Sequence, residues 1–303
     1  MFSSICLFFE CKKNDKIDFY TSDLQQIPSD YEELFTTMKK GFIDGDKVDW
    51  NNLEKIVLEI SKISKDSAIV EAITLLGNNH THYRTSEGKL ILGRFPKKKI
   101  DSTCLVQVLE ENELTKIPNV AYIKINRHGF NKTISDKDYI LNNLKIIAEN
   151  ANSKNWIIDL RLNSGGSNWI MLTSLLPFLN DGIVGYTSIE DGEIPWIKKD
   201  GSIFNGNNNL TNEIIGKSLN FKINPNKIFV LINHNTSSSG EATLISLKSL
   251  PNVKILGNKT NGAATMNAEH KLSNGDILVL TAGYMMDKDK KIYRNGINPD
   301  VEL

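Results

Sequence analysis

Cysteine is scarce in this chain: three among 303 residues, Cys6, Cys11 and Cys104. So few, so scattered, exclude a disulfide framework and a cysteine-only zinc site. An excess of charge is also missing, because Lys plus Arg and Asp plus Glu each number 36 and the formal net charge is zero. That balance implies no nucleic-acid partner and no attraction to an anionic membrane. Beyond the N-terminus no apolar run is long enough to span a bilayer, and there is no internal repeat or low-complexity tract. The five histidines include one close pair, His80 and His82, which would share a strand face; the other three show no zinc-type spacing, and no metal or organic cofactor is expected. What the chain does have is core material. With 40% hydrophobic residues it can build one large core and a small accessory unit.

Three regions follow from the pattern. Residues 1–27 read as a leader or linker. Their short apolar run ends at Cys11 and resembles the tail of a bacterial lipoprotein signal, in which that cysteine would be lipidated and tether the protein to a membrane. No basic segment precedes the run and Glu10 stands where a small residue is expected, so a buried N-terminal strand is the alternative. Residues 28–95 read as a helical unit, with apolar residues at helical spacing over 29–41, 50–64 and 66–76; Gly77 then closes the last helix and the loop carrying His80 begins. Residues 96–303 read as an α/β core. Strands at 120–125, 156–162, 227–232 and 253–256 alternate with helices at 136–150, 168–179 and 241–250, the signature of βαβ units around a buried sheet. A Gly/Asn-rich insertion from Asp181 to about Asn212 predicts a hairpin and a surface loop. Two further strands are expected near 269–272 and 276–284.

Two turns carry candidate chemistry. The run Thr236-Ser237-Ser238-Ser239-Gly240-Glu241 lies between a strand and a helix, where a hydroxyl is held clear of the backbone beside free helix amides and a positive dipole end. Taken alone, such a run before a helix is usually just an N-cap. The segment Asp159 to Gly166 also follows a strand. Its Gly165-Gly166 pair can turn backbone amides outward as an oxyanion site requires, or can simply make a tight turn beside a structural Asp159–Arg161 pair. Ligand sites in open α/β sheets lie at the carboxyl ends of strands, which favours the functional reading of both turns. His80 is the candidate general base, although a lone loop histidine is usually a surface or capping residue.

The ordered set Asn79-His80-Thr81, Asp159 to Gly166, Thr236 to Glu241, Gly257 to Gly262 and Gly296 to Asp300 resembles the tail-specific or C-terminal processing peptidase family. Within that family it is closer to the tricorn-type and retinoid-binding-protein-like branch. The resemblance implies a crotonase/Clp-protease-like α/β core of ββα superhelix type. It assigns the nucleophile to Ser238, with Ser237 and Ser239 as turn residues. The oxyanion amides would be those of Ser239 and of Gly165 or Gly166, and the base His80. A peptide or unfolded protein is the implied substrate; the Cys11 segment points to the bacterial cell envelope, with the cytoplasm as the alternative.

Departures from the family pattern are as specific. Ala263 stands where the processing proteases carry a catalytic lysine, and Asn267 where they carry a glutamine, which argues against a Ser-Lys mechanism; Lys259 precedes the turn and reads as solvated. Asn79 and Tyr293 replace the serine and the glutamate that tricorn-type enzymes add, leaving Glu269, Asp287 or a backbone carbonyl to orient His80. Between His80 and Val120 there is no room for a PDZ domain. The sequence thus predicts a serine endopeptidase. A peptide or small apolar ligand-binding protein on the same scaffold is the alternative, and an esterase a third reading.

Overall fold

The computed structural model describes residues 28–95, 111–129 and 133–303. The leader, Cys11 and the lipoprotein reading of the N-terminus lie outside the described residues, as do Cys6 and Cys104.

The chain opens with α1 (Ser29–Gly41), α2 (Trp50–Ser61) and α3 (Lys65–Leu75). Side-chain caps start the last two: Asp49 accepts from the Asn52 amide and Ser64 from the Ser67 amide. Two short strands, β1 (His82–Arg84) and β2 (Leu90–Leu92), follow, and after them the one-turn helix α4 (Glu111–Leu114). The alternating part then runs β3 (Val120–Lys124), α5 (Asp136–Glu149), β4 (Asn155–Asp159) and α6 (Asn168–Leu175). The helix expected to reach residue 179 stops at 175, because Pro177 has no N–H to continue the ladder.

The insertion at 181–212 is more ordered than a hairpin and a loop. It forms β5 (Gly182–Ile189), β6 (Gly192–Lys199), β7 (Ser202–Asn205) and β8 (Asn208–Asn209), a meander that buries Val184, Trp196 and Ile203 and leads into α7 (Leu210–Ile215). The remaining elements are β9 (Lys227–Ile232), α8 (Ser239–Leu247), β10 (Val253–Gly257), β11 (Thr265–Lys271), β12 (Ile277–Met286) and β13 (Val301–Glu302).

Two sheets organise these elements into a mixed α/β fold. The first is parallel throughout, in the order β13-β10-β9-β4-β3. Ile158 and Val230 on its inner strands are fully buried, as a parallel sheet covered on both faces requires. The second is antiparallel, in the order β2-β1-β12-β5-β6-β7-β8, with β11 on the other side of β12. One large core lies between the parallel sheet and helices α5, α6 and α8, where Trp156 meets Phe178 edge to face at 5.0 Å. A second core joins α1, α2 and α3 through Met38, Val57 and Ile73 to Leu278 and Leu280 of β12. Residues 28–95 therefore pack their helices on β12, a strand from the far end of the chain, and pair β1 with it, while β2 pairs with β1 at the sheet edge.

Candidate active site

Strands β4 and β9 are parallel neighbours in the register Asp159 to Leu231, so the turns that follow them emerge side by side. The first turn is pinned where it leaves the sheet. Buried Asp159 accepts Arg161 Nε at 2.9 Å, Arg161 Nη2 at 2.6 Å and the Tyr122 hydroxyl at 3.0 Å. Buried Asn163 then joins the two turns: its carbonyl accepts the Ser237 amide at 3.0 Å, and its side-chain amide donates to the Ile125 carbonyl at 2.8 Å. From the second turn, the Thr236 hydroxyl donates to the Leu160 carbonyl at 2.9 Å. Each turn holds the other in shape.

Glycine at 165 and 166 is a steric necessity. Gly165 has φ +101°, and a Cβ there would stand 2.9 Å from Ser238 Cβ and 3.0 Å from the Ser239 nitrogen. Gly166 has φ +127°, and a Cβ there would collide with the carbonyl oxygen of His128. The Ser239 hydroxyl donates to the Gly166 carbonyl at 2.6 Å, closing the two turns together. Of the glycine amides, that of Gly165 is committed to Asn163 Oδ1 at 3.0 Å. Among the described residues, the amides of Gly166 and Ser239 donate to nothing.

Ser238 itself adopts φ 54° and ψ −120°, a conformation that costs an L-residue of order 1–3 kcal/mol. It is the N-cap of α8 and forms a capping box with Glu241 at N3. What holds the turn is Glu241. This fully buried carboxylate accepts the amides of Ser238 at 3.1 Å, Gly262 at 2.8 Å and Ala263 at 2.7 Å, and the Thr260 hydroxyl at 2.5 Å. Burial outweighs the pull of the same four donors and raises its pKa above the ordinary carboxylate value. Three backbone N–H groups can donate only to an acceptor, and the ionised carboxylate is the form that satisfies them all.

His80 reaches the site from the other layer. Gly77, with φ 70°, ends α3, and Asn78 Oδ1 accepts the His80 amide at 2.8 Å and the Thr81 amide at 3.3 Å. Asn267 Nδ2 donates to the His80 carbonyl at 3.1 Å. The ring Nδ1 lies 2.6 Å from the Thr265 hydroxyl. Burial, with a smaller push from neighbouring His82, takes the imidazole pKa down to about 4, so the ring is neutral at physiological pH. His80 and Ser238 thus lean on one loop: Glu241 grips it at 260–263 and Thr265 meets the imidazole two residues on. No hydrogen bond joins the Ser238 hydroxyl to the His80 ring among the described residues.

The residues expected to orient His80 are occupied elsewhere. Asp287 Oδ2 accepts the Tyr293 hydroxyl at 2.6 Å, and Glu269 faces Arg84 at 3.9 Å. Thr265 holds the ring instead, a contact that no sequence signal pointed to. The role of Glu241 was within reach, since Ser-x-x-Glu before an apolar run is a capping-box pattern. His82 turns its Nδ1 to the His80 carbonyl at 3.2 Å, and His128 pairs with Asp136 at 2.8 Å. No group of three or more metal-ligating side chains occurs among the described residues.

Residues 119–303 match the description of peptidase family S41. The chain belongs to that family. A relative, the nisin-resistance protein of Lactococcus lactis subsp. lactis, is 28% identical over 267 residues, which span 85% of this chain and 77% of that one. Among solved structures, a lipoprotein from Streptococcus agalactiae superposes with a TM-score of 0.68 at 22% identity, covering 91% of this chain and 92% of the other. The photosystem II D1 C-terminal processing protease superposes with a TM-score of 0.57 at 12% identity, covering 91% and 94%. These likenesses establish the S41 fold, with its parallel sheet and small helical N-terminal region.

Proposed function

We propose that this S41 member is a serine endopeptidase acting on peptides or unfolded proteins, with Ser238 as nucleophile and His80 as general base. The observation that carries the reading is the conformation of Ser238, forced to positive φ on a strand-to-helix turn and backed by Gly165. Ser238 Oγ attacks the scissile carbonyl carbon and its proton passes to His80. The tetrahedral oxyanion is received by the amides of Gly166 and Ser239, and Gly165 shapes the hole without donating to it. Collapse expels the amine, which takes the proton from His80, and water then hydrolyses the acyl-enzyme by the same route. The nucleophile, the base and the oxyanion donors all come from the chain, and water is the co-reactant. The names of the relatives, a nisin-resistance protein and a lipoprotein, support a place in the bacterial cell envelope, with Cys11 as the candidate tether.

A second reading is a ligand-binding protein with a silent site. It is favoured by the missing Ser238–His80 hydrogen bond and by the hydroxyl, in place of a carboxylate, on the imidazole. A fluorophosphonate probe separates the two. The peptidase reading expects an adduct on Ser238 that is abolished by Ser238→Ala and slowed at least tenfold by His80→Ala; an unlabelled wild-type protein between pH 6 and 9 selects the binding protein.

A further inference from the structure

A cavity of about 580 Å³ opens on the turn that precedes β13, and its lining includes Lys248, Lys259, Lys291, Tyr293, Arg294 and Asp300. Its charge is lopsided in a chain whose net charge is zero. Lys248 and Lys291 bring their ammonium groups to 5.9 Å and 5.3 Å from the centre of the same ring, that of Tyr293. The acids nearby are already engaged. Asp287 takes the Tyr293 hydroxyl at 2.6 Å, and Asp300 Oδ2 takes the Ile255 amide at 2.8 Å. Arg294 is spent on Asp44 at 2.9 Å. Lys248, Lys259 and Lys291 pair with no carboxylate among the described residues.

The bland explanations cover part of this. Lys248 caps the C-terminus of α8, where the helix dipole favours a cation. Neither Lys259 nor Lys291 has that excuse, and an aromatic face attracts an ammonium by only about 0.5–1 kcal/mol at an exposed site without neutralising it. Three like charges around one concavity repel each other until an anion enters. The spare donors are ammonium groups and the one guanidinium is occupied, so the site lacks the planar fork that selects carboxylates and suits a compact, multiply charged anion. The volume falls within the usual range for a small-ligand pocket, about 300–1,000 Å³.

We propose that this cavity is a binding site for a phosphate-bearing anion, held by the ammonium groups of Lys248, Lys259 and Lys291. The site is separate from Ser238 and does not depend on the peptidase reading. Its floor touches the catalytic turn only indirectly, through Thr260, which accepts the Ile297 amide at 2.7 Å and donates to Glu241.

The test titrates the full chain with pyrophosphate by calorimetry, and in parallel measures co-sedimentation with phosphatidylcholine vesicles with and without phosphatidylglycerol. Saturable binding is expected, weakened at least tenfold in the Lys259→Gln/Lys291→Gln double variant and unchanged in Lys137→Gln/Lys145→Gln, which removes two surface cations from α5. Saturation by pyrophosphate assigns a soluble phosphate; a response confined to phosphatidylglycerol vesicles assigns a lipid headgroup. The proposal is overturned if neither probe binds saturably, or if the two double variants lose binding equally.

Discussion

At the residue scale the site is a set of strained or buried groups that other groups compel. Ser238 keeps its positive φ because Glu241 grips its amide and Gly165 leaves no room for retreat. His80 stays neutral because it is buried, and the Thr265 hydroxyl orients its ring without lending it negative charge. A pH dependence follows. The pKa of His80 falls from an ordinary 6.5 to about 4 in the folded chain, with His82 the titratable neighbour that adds to the shift. Between those values the unfolded chain binds the extra proton and the folded chain does not. Stability from this group is therefore complete above 6.5 and is lost as pH falls through 4. The rate of Ser238 labelling should follow the same ring, with an acid limb centred near pH 4. A limb centred near 6.5 in the measured rate profile would show a solvated imidazole and refute its burial.

At the element scale the proposed site rests on a pair of strand-turn-helix connections locked face to face. Gly165→Ala tests the lock, since the new Cβ meets Ser238 Cβ at 2.9 Å on a backbone at φ +101°. The expected stability loss is about 1–3 kcal/mol, with probe labelling of Ser238 slowed far beyond what that loss explains. Thermal unfolding and labelling rate measured on one sample decide it; an unchanged labelling rate would mean the turns are not in contact. This unit was largely legible in the sequence. The strand expected over 156–162 forms but ends at Asp159, that expected over 227–232 forms as read, and the Gly-Gly and Ser-Ser-Gly-Glu turns follow them. The meander at 182–209, expected as one hairpin and a loop, carries its own signal: Asp200-Gly201 and Gly206-Asn207 are the two-residue turns that join β6 to β7 and β7 to β8, and Asp200, Gly201 and Gly206 all have positive φ. Pro177 likewise announced the end of α6. By contrast, Thr265 lies 185 residues from His80, and only the tertiary fold could bring the two together.

At the scale of the whole molecule, the proposed catalytic pair is divided between two layers. Ser238 belongs to the turn above the parallel sheet, whereas His80 hangs from the junction of α3 and β1, whose core is completed by β12. Leu280, fully buried, sits in that shared core, and Thr281 beside it donates to the same Asn78 oxygen that holds the His80 amide. The helical layer cannot bury its apolar face without β12, so it should unfold together with the rest of the chain. Calorimetry is expected to show one transition, and Leu280→Ala should lower it as a whole, at a cost of about 2–5 kcal/mol. In the folded variant, His80-assisted labelling should weaken because its loop loses support, while the residual labelling typical of His80→Ala persists. Two separate transitions, with only the first moved by Leu280→Ala, would instead make residues 28–95 an independent domain. The placement of His80 would then depend on domain docking rather than on a common core.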